Sequence, residues 1–152
     1  MITRNALPLL FLCSVAAACG GPPNEDTRAD DATEGIAAPL QGTVAIINPL
    51  EGEVLEGTDV TVWLRSSVPI VPAGDMMPGT GHHHLYLDAD LGDMSAPIPS
   101  VAGSIVHLGN AALEYVFENA TSGPHRLIAV VADGAHVALQ PLVVDTVMFV
   151  VE

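Results

Sequence analysis

Six histidines occur in a chain of 152 residues that has four arginines and no lysine, and three of them are consecutive: His82-His83-His84. The triplet is internal, so it belongs to the fold and is not a terminal tag. On a strand, alternation sends His82 and His84 to the face that carries Tyr86 and Asp88, while His83 joins Leu85 and Leu87. Two imidazoles at i and i+2 on one face can share a metal ion, and neutral imidazole is the commonest ligand for late transition metals. Further ligands must come from elsewhere in the chain, with His107 and His136 the best placed. Met76 and Met77 lie just before the triplet and Met94 just after it. Thioethers favour Cu(I), so the mixture points to copper, with zinc as the other candidate. His83, Asp88, Met76 and Met77 are candidate supporting residues. The plain alternative is that His83 and His125 are hydrogen-bonded structural residues, that the other histidines sit in loops or at strand ends, and that the methionines fill gaps in a core.

Other chemistry is thinly represented. Asp88-Ala89-Asp90-Leu91-Gly92-Asp93 resembles a calcium loop, but Gly92 stands at the fifth position and no Glu closes the twelfth, so an acidic turn is expected. Asn119-Ala120-Thr121 spells a glycosylation sequon and reads as a turn. The chain lacks a Gly-x-Ser-x-Gly elbow, a phosphate loop, a His-Glu-x-x-His motif and, after processing, a thiol nucleophile, so no catalytic residue is assigned and the protein is expected not to be an enzyme.

The elements that must position the histidines are strands. From Gln41 onward, short apolar runs are split by Gly, Pro, Asn and Asp at intervals typical of all-β domains. Seven strands are expected: Thr43 to Asn48, Asp59 to Ser66, His82 to Asp88, Ser104 to Leu108, Leu113 to Phe117, His125 to Ala132 and Leu142 to Val151. Val60, Val62 and Leu64 alternate with Thr61, Trp63 and Arg65, a period of two that turns one face inward. The last strand is apolar on both faces and is expected to be well buried. A single immunoglobulin-like antiparallel β-sandwich follows, over residues 41–152. Two long irregular stretches, Pro69 to Gly81 and Ala89 to Gly103, flank the triplet strand, and loops of that length tend to be functional or mobile.

The beginning of the chain reads differently. A start containing Arg4, an apolar run from Ala6 to Ala18 and the small residues Ala16-Ala17-Ala18 before Cys19 have the parts of a secretory signal peptide, expected over residues 1–18. The run is too short to span a bilayer, which needs about 20 apolar residues. Small residues before Cys19 also resemble the lipobox of bacterial lipoproteins, with Ala16 where Leu is usual. The only other cysteine, Cys13, falls in the segment to be removed, so no disulfide forms in the mature monomer and lipidation of Cys19 would block a lone thiol. Residues 19–40, rich in Pro, Gly, Ala, Thr and acid, are expected to form a disordered acidic linker.

Charge narrows the partners. Loss of Arg4 leaves three Arg against eighteen Asp and Glu, 3 − 18 = −15. So acidic a chain has no electrostatic affinity for nucleic acid or anionic head groups. The expected partners are the membrane, through the lipid anchor, and a metal ion or an envelope protein. Gly20 after the cysteine gives no sign of an inner-membrane retention residue, so the outer membrane facing the periplasm is the expected address.

The stretches Pro72-Ala73-Gly74, Gly79 through Asp88, Pro97-Ile98-Pro99, His107-Leu108-Gly109, Gly123 through Leu127 and Asp133 to Val144 resemble the domain of unknown function 4399 family, over roughly Ile47 to Val151. The resemblance implies an exported, His-rich domain without an assigned activity. By position His82, His83, His84, His107, His125 and His136 match histidines of the family pattern. That pattern has further His near the positions of Gly134 and Leu139, so this chain keeps part of the family's histidine set. The sequence therefore describes a non-enzymatic, His-containing binding module of the cell envelope, tethered by lipid, with copper or zinc as candidate ligands. The alternative is a structural or protein-interaction domain with no metal role.

Overall fold

Alternating β-branched and polar residues produce strands wherever turn residues bound them, and the computed structural model of the protein follows that pattern over the described residues, 42–152. The expected signal segment, Cys19 and the acidic linker lie outside the described residues. Eight strands occur: β1 Val44–Asn48, β2 Val54–Leu55, β3 Val60–Ser66, β4 His82–Leu87, β5 Ile105–Leu108, β6 Glu114–Phe117, β7 Gly123–Ala132 and β8 Val144–Val151. They form a three-stranded sheet, β1-β3-β6, and a five-stranded sheet, β2-β8-β7-β4-β5. The chain starts in the smaller sheet, touches the edge of the larger one at β2, returns for β3, crosses at β4 and β5, returns for β6 and crosses again for β7 and β8. Strands that switch between two facing sheets in this order make the all-β sandwich expected from the sequence.

The inner faces build the main core. β3 contributes Val60, Val62 and Leu64, β4 contributes Leu85 and Leu87, β7 contributes Leu127, Ala129 and Val131, and β8 contributes Val147, Phe149 and Val151. A second apolar layer lies on the opposite face of the larger sheet, where Tyr86, Ile128, Val130 and Ala132 are covered by Ile98 and Ala138, with Leu91 and Met94 packed against them. The stretch Ala89 to Gly103 thus serves as a cover for the sheet, and Met94 fills that layer.

Three details differ from the sequence reading. The seven expected strands are eight, because Val54–Leu55 is too short to show an alternation. That strand pairs in parallel with β8, Val54 opposite Val150 and Leu55 opposite Val151, the one named strand pair that is not antiparallel. Finally, β8 is not buried on both faces: Val147, Phe149 and Val151 point inward, while Val144 and Met148 are exposed. The strand buried on every residue is β4, the one that carries the histidine triplet.

His125 fastens the far end of β4 to β7. Its Nδ1 lies 2.6 Å from Asp88 Oδ2 and its Nε2 lies 2.6 Å from the Thr121 carbonyl oxygen. A carbonyl and a carboxylate only accept, so the ring donates from both nitrogens and is an imidazolium. Burial alone would lower its pKa, but the Thr121 carbonyl and the hydrogen bond and charge of Asp88 outweigh it, and the pKa is raised above 6.5. Asp88 also accepts from the Arg126 amide at 2.8 Å, and Asp90 pairs with the Arg126 guanidinium at 2.6 Å. The acidic turn is therefore spent on local partners.

Two outcomes follow from this packing. Phe149→Ala should cost about 3–5 kcal/mol in urea unfolding, and Met148→Ala, one residue away on the exposed face, should stay within about 0.5 kcal/mol; equal losses would mean that β8 is covered on both sides. The His125 clamp is complete below the unfolded pKa and is lost as pH rises through the raised folded value. The difference in melting temperature between the protein and His125→Gln should accordingly be largest below pH 6.5 and shrink above it, and a difference independent of pH would rule out the imidazolium.

Candidate metal centre

Register decides which imidazoles meet. In the β4–β5 pairing His84 stands opposite His107, and in the β4–β7 pairing His82 stands opposite Ala132 and His84 opposite Val130. Residues directly opposite share a face, so His82, His84 and His107 rise from the outer face of the larger sheet. The small Ala132 leaves space beside His82. The fourth ring arrives from the hairpin after β7, where Asp133 Oδ1 accepts from the Ala135 and Val137 amides at 2.9 and 3.0 Å. His136 has φ +66°, a left-handed conformation uncommon for a non-glycine residue, and its carbonyl accepts from the Ile98 amide at 2.9 Å. A residue held this way at a cluster of functional side chains marks backbone strain that the surroundings must maintain.

The four rings pack against one another in all six pairs, with centroids 4.8–5.6 Å apart. His82 and His84 are fully buried, His136 is half-buried and His107 is exposed. Three nitrogens converge: His82 Nε2 is 3.0 Å from His84 Nε2 and 3.1 Å from His136 Nδ1. One ring nitrogen carries either a proton or a lone pair, so His82 Nε2 has one proton at most to share between two neighbours. The Nδ1 atoms of His82 and His84 are buried without a partner among the described residues. A hydrogen bond from His82 Nε2 therefore serves only one of its two neighbours, whereas a metal ion can draw on several gathered imidazole nitrogens at once. His82, His84 and His136 each present one nitrogen within 4.8 Å of the others.

Electrostatics keeps the lone pairs free. Burial, followed by the neighbouring His136 and His107, lowers the His82 pKa to about 4 against a smaller opposing effect of Asp133. Burial and then His82, His107 and His136 lower that of His84 to about 3. Both rings are therefore neutral at pH 7, the state that ligates metal.

The remaining candidates are dispersed. His83 points to the opposite face, where burial lowers its pKa and its Nδ1 lies 3.3 Å from the Ala112 carbonyl. Asp88, expected on the His82–His84 face, leaves the strand with φ +54° and binds His125 at the other end of β4. Met76 and Met77 are exposed at 66% and 61%, so neither is packed into the histidine group. Periodicity alone did not reveal the residues that hold the outer rings. A Cβ on Gly109 would meet the His107 ring at Nε2, so the glycine leaves room for that ring to lie over the chain in this position. The consecutive amides of Ala73 and Gly74 donate to Gly109 and Gly134 at 2.9 and 3.1 Å, tying together the two segments that carry His107 and His136. Their sequence signal is a glycine two residues after one histidine and two before the other.

Fold and geometry define a two-sheet β-sandwich with a histidine cluster on the outer face of its larger sheet. The chain belongs to the DUF4399 family, the domain of unknown function whose model matches residues 60–152, from β3 to the end and including all four rings. Among solved structures it is similar to fibronectin(III)-like modules of Clostridium thermocellum CbhA, with 16% identity and a TM-score of 0.46 over 72% of this chain and 96% of that one. It is also similar to an engineered protein, at 12% identity and a TM-score of 0.41, and to the endo-β-1,4-mannanase of Thermotoga petrophila, at 12% and 0.43. Each of these two alignments covers 76% of this chain and 21% of the other. No curated protein matches the sequence.

The depressed His82 and His84 pKa values make a definite acid response. With a folded pKa below the unfolded value, stability is complete above pH 6.5 and is lost as pH falls from there toward about 4 and then 3. Chemical unfolding followed from pH 7 to 4 should show this loss, and the His82→Gln/His84→Gln variant should lose less over the same window; parallel curves would contradict the burial argument.

Proposed function

We propose that the protein is a non-enzymatic binding module of the bacterial cell envelope, anchored through lipid on Cys19, whose cluster of His82, His84, His107 and His136 holds a transition metal ion. One observation carries the metal reading: two imidazole nitrogens, of His84 and His136, lie 3.0 and 3.1 Å from His82 Nε2, which can satisfy only one of them as a hydrogen bond. The neutral state of the buried pair supports it, since a protonated imidazole cannot ligate. The envelope address rests on the signal-like residues before Cys19, and the lack of catalytic motifs supports a binding role.

A structural reading is favoured by one feature. Ligating histidines almost always donate their second nitrogen to a carboxylate, carbonyl or water, and Nδ1 of His82 and of His84 has no such partner among the described residues. In that case the cluster fastens the hairpin and loop to the sheet without metal.

Calorimetric titration of the protein with Zn(II), Cu(II) and, under reducing conditions, Cu(I) separates the two. Under the metal reading one ion binds per chain, and at a hundredfold excess over the dissociation constant it stabilises the fold by about 2.7 kcal/mol. His82→Ala/His84→Ala then removes both the binding and the metal-dependent rise in melting temperature. Lack of stabilisation by any of the three ions would leave the cluster as architecture.

A further inference from the structure

The arrangement of the rings constrains which ion fits. With metal–nitrogen bonds of about 2.0–2.1 Å and ring centres about 1.2 Å behind each nitrogen, tetrahedral ligation by four imidazoles puts all six pairs of ring centres about 5.3 Å apart. A square plane would put four pairs at about 4.6 Å and two at about 6.5 Å by the same geometry. The observed separations are 4.8, 5.5 and 4.9 Å from His82 to His84, His107 and His136, 5.6 and 5.5 Å from His84 to His107 and His136, and 4.9 Å between His107 and His136. None approaches the long diagonal of a square. The four rings occupy the corners of a slightly compressed tetrahedron.

Three of the corners already present a nitrogen, and the fourth does not. The convergent set is His82, His84 and His136. The ring of His107 sits at the last corner with Nε2 over Gly109. It is exposed, so the side chain can turn without disturbing the core.

The geometry points to a tetrahedral zinc site, with His82, His84 and His136 as the resident ligands and His107 as the ligand that closes it. This rests on the metal-binding reading above and goes beyond it by naming the ion, the coordination number and the role of one residue. Zinc has no geometric preference from d electrons and accepts four nitrogens at a tetrahedron, whereas Cu(II) favours a tetragonal set. Cu(I) is soft and is better served by sulfur, and Met76 and Met77 are largely exposed residues, with Met76 Sδ lying against Gly134. The copper preference read from the neighbouring methionines is therefore replaced by zinc.

The test is spectroscopic. The protein is loaded with one equivalent of Zn(II), and separately with Co(II), whose visible bands are intense in a four-coordinate site and weak in a six-coordinate one. Zinc should bind one per chain with four nitrogen neighbours in its X-ray absorption spectrum, and Co(II) should show the intense bands. His107→Ala should retain one ion per chain, bind zinc more weakly and change the Co(II) bands as water replaces the fourth nitrogen. His83→Gln, on the other face of the sheet, should leave those bands unchanged. Weak six-coordinate Co(II) bands, a Co(II) spectrum indifferent to His107→Ala, or uptake of Cu(II) with an ordinary tetragonal EPR signal and no uptake of zinc would each overturn the tetrahedral assignment while leaving metal binding intact. Failure to bind Zn(II), Co(II), Cu(II) and, under reducing conditions, Cu(I) alike would overturn the metal reading beneath it.

Discussion

Strand β4 is buried on all six residues, and three of those residues are imidazoles. A polar ring removed from water is costly unless its nitrogens find partners or its charge is given up. Much of the surrounding structure answers that constraint. On the inner face His83 reaches the Ala112 carbonyl, at the edge of the main core. On the outer face a second apolar layer, closed by Ile98 and Ala138, keeps water from Tyr86 and from the strand beneath. His82 and His84 remain in that dry layer only as neutral rings, with two more imidazoles brought in to meet them.

The same side chain is handled in opposite ways at the two ends of this strand pair. His125 lies between two acceptors, Asp88 and the Thr121 carbonyl, and is held as a cation. His82 and His84 are held neutral, first by burial and then by the other imidazoles around them, where a proton on one ring repels a proton on the next. Acidic residues are abundant in the chain, yet the convergent group contains no carboxylate. The nearby Asp133 spends one carboxylate oxygen on the hairpin amides that present His136. A cation clamp and a neutral ligand set thus arise from one residue type through the balance of burial against the placement of acceptors.

This division explains what was legible in the sequence. Strand periodicity located seven of the eight strands to within two residues, because Val60-Thr61-Val62-Trp63-Leu64 and its counterparts alternate in the way a half-buried sheet requires. It missed Val54–Leu55, which is held by parallel hydrogen bonds to β8 and has no pattern of its own. It assigned two buried faces to β8, since Met148 and Val144 are apolar and composition does not reveal that they stay exposed among the described residues. Within the site, the i, i+2 spacing of His82 and His84 follows from the pleat. The approach of His107 depends on β5 pairing with β4, and that of His136 on a left-handed hairpin residue; neither is written in local spacing. Asp88 sits two residues beyond Tyr86 and shares its parity, but the chain has left the strand there, so parity no longer predicts direction.

The two kinds of position also differ in how they are held. His82 and His84 stand on a central strand with neighbours on both sides, and their backbone is fixed by the ladders to β5 and β7. His107 and His136 stand near the ends of their elements and rely on the loop after β3, whose Ala73 and Gly74 amides bond Gly109 and Gly134. A single loop therefore sets the distance between the two outer rings without contributing a ring itself. Because Gly134 would carry a Cβ into the Asp75 carbonyl, the loop and the hairpin fit only while that position is glycine.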